Sequence, residues 1–301
     1  MSSNTALRHE SFTSLDTAVR SDSGHVAPEK QHLINLLFAV GELMLAASVA
    51  RCCSEYRALG CAAGHTFNCF PTHRCSYRLC VDCARERQRR ACSRLFPILR
   101  GFQRAYRHDR QVLITLTVRS SHEALAVHDR RFKAWFKRLR RSKRWKHCIR
   151  GAVASFEFTW NQTEGWHYHV HILAFRRAWY AQAELAEQWQ RITAGAGVVV
   201  DIREAHDFRG AVAEVLKYSF KPAEIENWTV QQVAEFNALR RVKLSDCYGE
   251  LRGLKVESDD DLQPDSEHEH LEVGSPCPDC GEPLMLVTLP RSVVHEVADT
   301  S

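Results

Sequence analysis

The sequence predicts an α+β fold, an antiparallel sheet with packing helices that follows a cysteine-rich, zinc-binding module. Two observations carry this prediction: strand and helix patterns alternate after residue 110, and eight cysteines lie within residues 52–92. We expect four segments along the chain. The first, 1–30, is a disordered leader, and the second, 31–110, contains a helix, the zinc module and a basic helix. The third, 111–253, is the main α+β domain, and the fourth, 254–301, is an acidic linker with a Cys-x-x-Cys tail.

Charge is distributed unevenly along the chain, which has 301 residues, 45% of them hydrophobic, and a formal net charge of +5. Residues 129–150 contain eleven Lys or Arg and one acidic residue, whereas residues 254–301 contain twelve Asp or Glu and two basic residues. A basic body predicts a polyanionic ligand such as nucleic acid, although one such run alone also fits a solvated helix face. Because cysteines fall in Cys-x-x-Cys pairs and no export signal is recognisable, we expect a reducing, cytoplasmic location.

The apolar segment 33–50 is predicted to be a packed helix rather than a membrane span. Its leucines recur at helical spacing, and the segment contains Gly41 and Glu42. A glutamate near the middle of a bilayer is costly without a partner, so we expect no membrane association.

Two predicted strands, 152–160 and 166–175, are separated by a short turn and should form an antiparallel hairpin. Ser120 and Glu123 have the spacing of a capping box at the start of a helix, and Asp207 can cap another helix. The remaining predicted elements are strands at 111–118 and 197–203 and helices at 178–193 and 207–221.

The most informative segment is the predicted strand 165–173, in which histidines alternate with apolar residues. Alternate side chains of a strand share a face, so His167, His169 and His171 should project together. Glu157 on the neighbouring strand could complete a mixed nitrogen and oxygen site with open positions, which suits Mg²⁺ or Mn²⁺. His167 is an extra ligand or a donor to the ligands, and the plainer alternative is a row of histidines on a wet sheet surface.

A second candidate group lies on the helix predicted at 207–221. Glu214 and Tyr218 are four residues apart and therefore lie on adjacent turns of one helical face. A phenol with an ordinary pKa is a weak nucleophile, and Lys217 and Lys221 are close enough in helical register to assist it. Metal, carboxylate and phenol together favour phosphoryl transfer, although a single tyrosine on a helix is often only a packing residue.

The cysteine-rich segment predicts a structural zinc site. Cys80 and Cys83 have the spacing of a zinc knuckle, and we favour Cys61 and Cys75 as their partners. Further candidates in the same segment are Cys53, Cys69 and His73. Contact with DNA and a purely structural role are both open for this module.

A second knuckle, Cys277 and Cys280, lies in the tail but is only half a zinc site. Its partners could be His268 and His270, or cysteines from the amino-terminal module, and the spacing does not decide between them.

The predicted helix after residue 124 is the candidate DNA-binding surface, because basic side chains cover its faces outside an apolar stripe. The candidate contacts are Arg130, Arg131, Lys137, Arg138, Arg140, Arg141, Lys143 and Arg144.

In sequence order, the segments 113–117, 165–173 and 214–221 resemble the three motifs of HUH endonucleases, and the likeness is greatest to rolling-circle plasmid replication initiators with one catalytic tyrosine. The resemblance spans about residues 111–253, and its specificity lies in the conjunction of the motifs. It implies an HUH-type sheet of about five antiparallel strands with helices behind it. His169 and His171 match the paired metal ligands, Tyr218 the residue that forms a 5′-phosphotyrosyl link, and Glu214 the position that promotes terminating cleavage.

The overlapping pair His167 and His169 is an alternative placement of the metal. We prefer the later pair because an apolar run follows it, as in the family.

The expected function is therefore nicking and joining of single-stranded origin DNA at the start of plasmid rolling-circle replication, with a host helicase and polymerase as candidate partners. Three alternatives remain open: a single-strand DNA transposase of related chemistry, a zinc-dependent DNA-binding regulator without catalysis, and a metal oxygenase that uses two histidines and Glu157.

Overall fold

The computed structural model describes residues 27–220, 225–239, 243–256 and 271–290, without the side chains of Asn68 and residues 218–220. The predicted leader up to residue 26, Lys221, His268 and His270, and the side chain of Tyr218 therefore lie outside the described residues.

The described residues form helices and strands that alternate for most of the chain. The helices are α1 (Pro28–Ala39), α2 (Leu43–Arg51), α3 (Val81–Ala105), α4 (Leu125–Arg141), α5 (Lys143–Cys148), α6 (Gln182–Ile192), α7 (Phe208–Phe220) and α8 (Val230–Ala238). The strands are β1 (Glu55–Gly60), β2 (Thr66–Pro71), β3 (Arg110–Val118), β4 (Ile149–Asn161), β5 (Gly165–Arg176), β6 (Gly197–Glu204), β7 (Ser245–Gly249) and β8 (Met285–Pro290).

The main sheet has five strands in the order β6-β3-β5-β4-β7, and every neighbouring pair is antiparallel. The histidine strand β5 lies in the centre. Its hairpin with β4 has the predicted turn, and the register places Trp160 opposite Trp166 and Glu157 opposite His169. The predicted mixed α+β fold with an antiparallel sheet is confirmed.

The two faces of the main sheet pack against different helices. On one face, Tyr168, Val170 and Ile172 of β5 are buried in a core with apolar residues of α4, α6 and α8. On the other face, Leu173 and Phe175 are buried with apolar residues of α3 and α7. Because alternate strand residues share a face, the three histidines project from the same face as Leu173 and Phe175. The sheet therefore presents its histidines on the side that carries α3 and α7.

A second, three-stranded antiparallel sheet has the order β2-β1-β8. Its third strand comes from the predicted tail, because β8 pairs with β1 from Glu55 opposite Pro290 to Gly60 opposite Met285. The amino-terminal module and the described part of the tail are thus one structural unit.

Two local expectations are wrong. The apolar segment 33–50 is two helices rather than one, since α1 ends before Gly41, which adopts φ +81°. The capping box also fails, because Ala124 precedes α4 without a side-chain cap. Ser120 instead lies beside the ring of His167, with 3.1 Å between Oγ and Nδ1. Asp207 does cap α7, since its Oδ1 accepts a hydrogen bond from the backbone N–H of Arg209 at 3.0 Å.

Within the described ranges, no helix combines the length and the apolar character that a bilayer-spanning helix requires.

Candidate active site and metal-binding clusters

The carboxylate of Glu157 lies between two histidines on the front of the main sheet. Its Oε2 is 2.5 Å from Nε2 of His169 and 3.1 Å from Nε2 of His171. The hairpin register produces this contact, because Glu157 and His169 are direct cross-strand neighbours and His171 lies two residues further along the same face. The three side chains are only 11–14% exposed, so the group is largely shielded from solvent.

The electrostatics of this group favour an ionised carboxylate and a neutral imidazole. Burial alone would raise the pKa of Glu157, but hydrogen bonds and charge interactions with His169 and His171 lower that pKa to about 2. Burial lowers the pKa of the His171 imidazole, and the nearby carboxylates of Glu157 and Glu214 only partly oppose this shift. Deprotonated imidazole and carboxylate groups are the forms that bind metal ions.

Glu157, His169 and His171 can serve as three ligands of one metal ion, because one donor atom from each lies within 4.8 Å of the others. Two imidazole nitrogens and one carboxylate oxygen are only three ligands, and a divalent cation that takes six can accept substrate oxygens at its other positions. His167 is not part of this group, and its ring lies against Ser120.

Thr115 is a functional candidate that the sequence reasoning missed. It lies opposite His171 in the register of β3 and β5, and its Oγ1 is 3.3 Å from His171 Nδ1. A partner on Nδ1 fixes the orientation of the ring and leaves Nε2 for a metal ion. The sequence of β3 could have indicated this residue, because its threonines alternate with apolar residues just as the histidines of β5 do. Such alternation predicts that the threonines lie on one face of the sheet.

Helix α7 brings Glu214 close to the same site. Glu214 lies near enough to raise the pKa of His171 by its charge, and its carboxylate is 3.4 Å from a guanidinium nitrogen of Arg203 on β6. Lys217 is exposed on the next turn. Position 218 belongs to α7, but its side chain is outside the described residues.

Four cysteines of the amino-terminal module form a cluster, in which three are buried and Cys75 is half-buried. Cys52 Sγ lies 3.4 Å from Cys83 Sγ and 3.7 Å from Cys80 Sγ, and Cys75 Sγ lies 3.6 Å from Cys83 Sγ. Zinc–sulfur bonds of about 2.3 Å in a tetrahedron separate the sulfurs by about 3.8 Å, so this arrangement fits one zinc ion. The Nζ of buried Lys30 donates a hydrogen bond to the Cys52 carbonyl oxygen at 2.6 Å, which ties α1 to the cluster.

This cluster corrects the ligand set that we favoured from the sequence. Cys75, Cys80 and Cys83 do come together, but Cys52 occupies the place expected for Cys61. The reason is that Cys52 precedes β1 whereas Cys61 directly follows it, and there Cys61 meets His65, Cys277 and Cys280.

Two other expected candidates have different surroundings. Among the described residues, Cys69 on β2 is exposed and belongs to no metal-binding group. The Nε2 atom of His73 is 3.0 Å from the Ser48 hydroxyl.

The eight predicted DNA-binding residues fall into three groups, the first of which, Arg130, Arg138 and Lys143, is exposed. Arg131 and Arg144 form ion pairs with Glu123 and Glu184, so their charges are partly neutralised within the protein. Lys137, Arg140 and Arg141 instead line a cavity of about 460 Å³ beside the start of β4. Four more basic residues line the same cavity, namely Lys146, Arg150, Arg177 and Arg252.

Arg140 is held in this basic cavity by stacking. Its guanidinium carbon lies 3.6 Å from the centre of the Tyr248 ring. Burial lowers the pKa of Arg140, and its Nε has no hydrogen-bond partner among the described residues. A cavity with seven cations and one acidic side chain, Glu250, is suited to a phosphate-bearing ligand.

The described residues thus combine an antiparallel sheet with two histidines and a carboxylate on one face, cysteine groups that could hold metal ions, and a basic cavity. Residues 67–274, more than half of the chain, match the family model Rep_1, described as replication protein. The chain belongs to this replication protein family.

A curated relative agrees with the family match. The chain is 31% identical over 139 residues to "Protein rep" of Lactiplantibacillus plantarum, an alignment that covers 42% of this chain and 44% of that relative. The chain thus spans less than half the length of this relative. No solved structure matches the chain.

Proposed function

We propose that the protein initiates plasmid rolling-circle replication by nicking single-stranded origin DNA through a covalent link to Tyr218. The family match supports replication, the three ordered motifs support HUH-type chemistry, and the single observation that carries the proposal is geometric. Helix α7 packs on the sheet face from which the histidines project.

The direction of α7 supports a position of residue 218 near the histidines. Phe208 at the start of α7 packs against Phe175. Glu214, further along the helix, is close enough for its charge to raise the pKa of His171. From Phe208 to position 218 a helix rises about 15 Å. From Phe175 back to His171 a strand covers about 14 Å. The end of α7 should therefore lie level with the metal-binding group.

Glu157, His169 and His171 would hold Mg²⁺ or Mn²⁺ in this proposal. When bound, the ion supplies positive charge that polarises a nonbridging oxygen of the scissile phosphate. Thr115 orients the His171 ring, and Glu157 contributes the negative charge that offsets part of the charge of the cation.

In the first step, the phenol oxygen of Tyr218 loses its proton and attacks the scissile phosphorus. A new phosphorus–oxygen bond forms to the tyrosine, the bond to the 3′ oxygen breaks, and the departing oxygen takes up a proton. Lys217 and Lys221 favour the phenolate by their charge. The phosphotyrosyl bond retains the reactivity of the broken phosphodiester, so a free 3′-hydroxyl can reverse the step.

In the second step, Glu214 acts as a general base toward water, which hydrolyses the phosphotyrosyl bond and ends the reaction. Arg203, whose guanidinium lies 3.4 Å from this carboxylate, helps to orient it.

The basic cavity would bind the DNA backbone away from the site of nicking. Its lining residue Tyr248 belongs to the core on the face opposite the histidines. In this proposal, backbone phosphates of a duplex or hairpin arm of the origin enter this cavity while an unpaired strand crosses the histidine face. The Cys52, Cys75, Cys80 and Cys83 cluster would bind a structural zinc ion, since its four sulfurs lie at the separations of tetrahedral zinc ligands.

The test is a nicking assay with a single-stranded origin oligonucleotide and Mn²⁺, followed by denaturing electrophoresis. We expect a 5′-linked protein–DNA adduct from the wild type and no adduct from Tyr218→Phe. Tyr56→Phe is the matched control, because Tyr56 lies on β1 of the other sheet. Undiminished adduct from Tyr218→Phe would refute the assignment of the nucleophile.

A further inference from the structure

A second metal-binding group joins two segments that are far apart in the chain. Cys61 and His65 come from the loop between β1 and β2, and Cys277 and Cys280 come from the turn before β8. Cys61 Sγ is 3.5 Å from Cys280 Sγ, and His65 Nδ1 is 3.5 Å from Sγ of both Cys61 and Cys277. We propose that this group binds a second zinc ion, which fastens the carboxyl-terminal segment to the amino-terminal sheet.

The distances fit a tetrahedral site with three thiolates and one imidazole. Zinc–sulfur bonds of about 2.3 Å and zinc–nitrogen bonds of about 2.0 Å separate such ligands by about 3.5–3.8 Å. All four donor atoms lie within 4.8 Å of one another, so no side chain has to move far to reach a common centre.

The amino-terminal half of the site is a tight turn between paired strands. The backbone N–H of Gly64 donates to the Cys61 carbonyl at 3.0 Å, and the N–H of Cys61 donates to the His65 carbonyl at 3.1 Å. Gly64 adopts φ +88°, which a residue with a side chain rarely adopts. This turn places the donor atoms of Cys61 and His65 side by side.

The carboxyl-terminal half is also a turn closed by backbone hydrogen bonds, and it is one residue longer. The N–H of Gly281 donates to the Cys277 carbonyl at 2.8 Å, and the N–H of Cys277 donates to the Glu282 carbonyl at 2.8 Å. Gly281 adopts φ +78°. Two independent turns therefore present their ligands to one point, which is the arrangement of paired zinc knuckles.

The apolar core around this site is small. Its buried members are Leu59, Cys61, Phe67, Cys277 and Leu284, so two of the five are themselves candidate ligands. Such a core contributes little stability without a metal ion. Zinc would thus supply much of the free energy that holds β8 against β1.

The tie joins positions 61 and 65 to positions 277 and 280, which are more than two hundred residues apart in the chain. The zinc tie does not depend on the proposed nicking reaction.

The test is the zinc content of the purified full chain, measured by mass spectrometry against protein concentration. We expect Cys280→Ser to lose one zinc ion per chain relative to the wild type. Cys69→Ser is the matched control and should lose none, because Cys69 lies on the neighbouring strand outside the group. Equal zinc content in Cys280→Ser and the wild type would overturn the proposal.

A second measurement covers the case in which Cys280→Ser does not fold. Cobalt replaces zinc in the wild-type chain, and the sulfur-to-cobalt charge-transfer absorbance reports the number of bound thiolates. Seven thiolates are expected from the two clusters together. An absorbance that corresponds to only four thiolates would overturn the second site and leave the first intact.

Discussion

Phe208 at the start of α7 packs against Phe175 near the end of β5, with ring centres 6.1 Å apart. This contact fixes the end of the sheet at which α7 begins. Because the charge of Glu214 still raises the pKa of His171, we infer that α7 advances along β5 toward the histidines. The predictions below follow from this arrangement and from the groups on the same sheet.

The first prediction concerns the proposed metal ligand Glu157. Glu157→Gln removes the negative charge between His169 and His171, so Mn²⁺ affinity should fall by about 100-fold or more, since even partners of ligands contribute about 10–100-fold. Isothermal titration with Mn²⁺ measures the change. Glu184→Gln is the control, because Glu184 pairs with Arg144 instead. Unchanged Mn²⁺ binding by Glu157→Gln would remove this carboxylate from the site.

The second prediction separates the two proposed steps. Glu214→Ala should form the covalent adduct at close to the wild-type rate but release it by hydrolysis at least about tenfold more slowly, since a general base contributes about 10²–10⁴-fold. A time course of adduct formation and decay measures both steps. Arg203→Ala removes the ion pair but keeps the carboxylate, so it should retain most of the release. Normal release by Glu214→Ala would contradict the role of Glu214.

The third prediction concerns the basic cavity. Arg141→Ala and Arg252→Ala should each weaken DNA binding and reduce the slope of log affinity against log salt by about 1. Fluorescence anisotropy at several salt concentrations measures the slope. Arg191→Ala, an exposed change on α6 away from the cavity, should leave it unchanged. Equal slopes for all three variants would show that DNA does not contact the cavity.

The fourth prediction is a pH dependence of stability. His128 is 1% exposed, and burial together with the charge of Arg131 lowers its pKa from 6.5 to about 4. His128 therefore becomes protonated near pH 6.5 in the unfolded chain but only near pH 4 in the folded chain. The free energy of unfolding consequently decreases as the pH falls from about 6.5 to about 4.

When the pH is lowered from 7 to 5, His128 alone should decrease the free energy of unfolding by about 2 kcal/mol. Urea unfolding at both pH values measures the loss, and His128→Gln should show a smaller loss than the wild type. The same loss in both proteins would assign the pH dependence to other groups.

The fold could be predicted where local pattern and sheet pairing agree. The short turn at 161–165 sets the hairpin register, and the alternation of apolar residues fixes which face of β5 is buried. These two constraints place Glu157 beside His169, which is why that pair was predictable from the sequence.

The remaining features depend on contacts between distant segments. Strand β1 separates Cys52 from Cys61, so only Cys52 lies beside Cys75, Cys80 and Cys83. The spacing of the cysteines in the sequence does not indicate which end of the strand is near the cluster. His65 was not predicted as a metal ligand because its partners, Cys277 and Cys280, are more than two hundred positions away in the sequence. The failed capping box has a similar cause, since Ser121 forms a bridge with Trp166 and holds this segment against the sheet.

The most direct test of the central claim is mass spectrometry of the peptide that remains attached to DNA after nicking. The account predicts a nucleotide-bearing peptide with the modification on Tyr218, at the end of α7. A modification on any other residue, or a nicked product with no attached peptide, would contradict it.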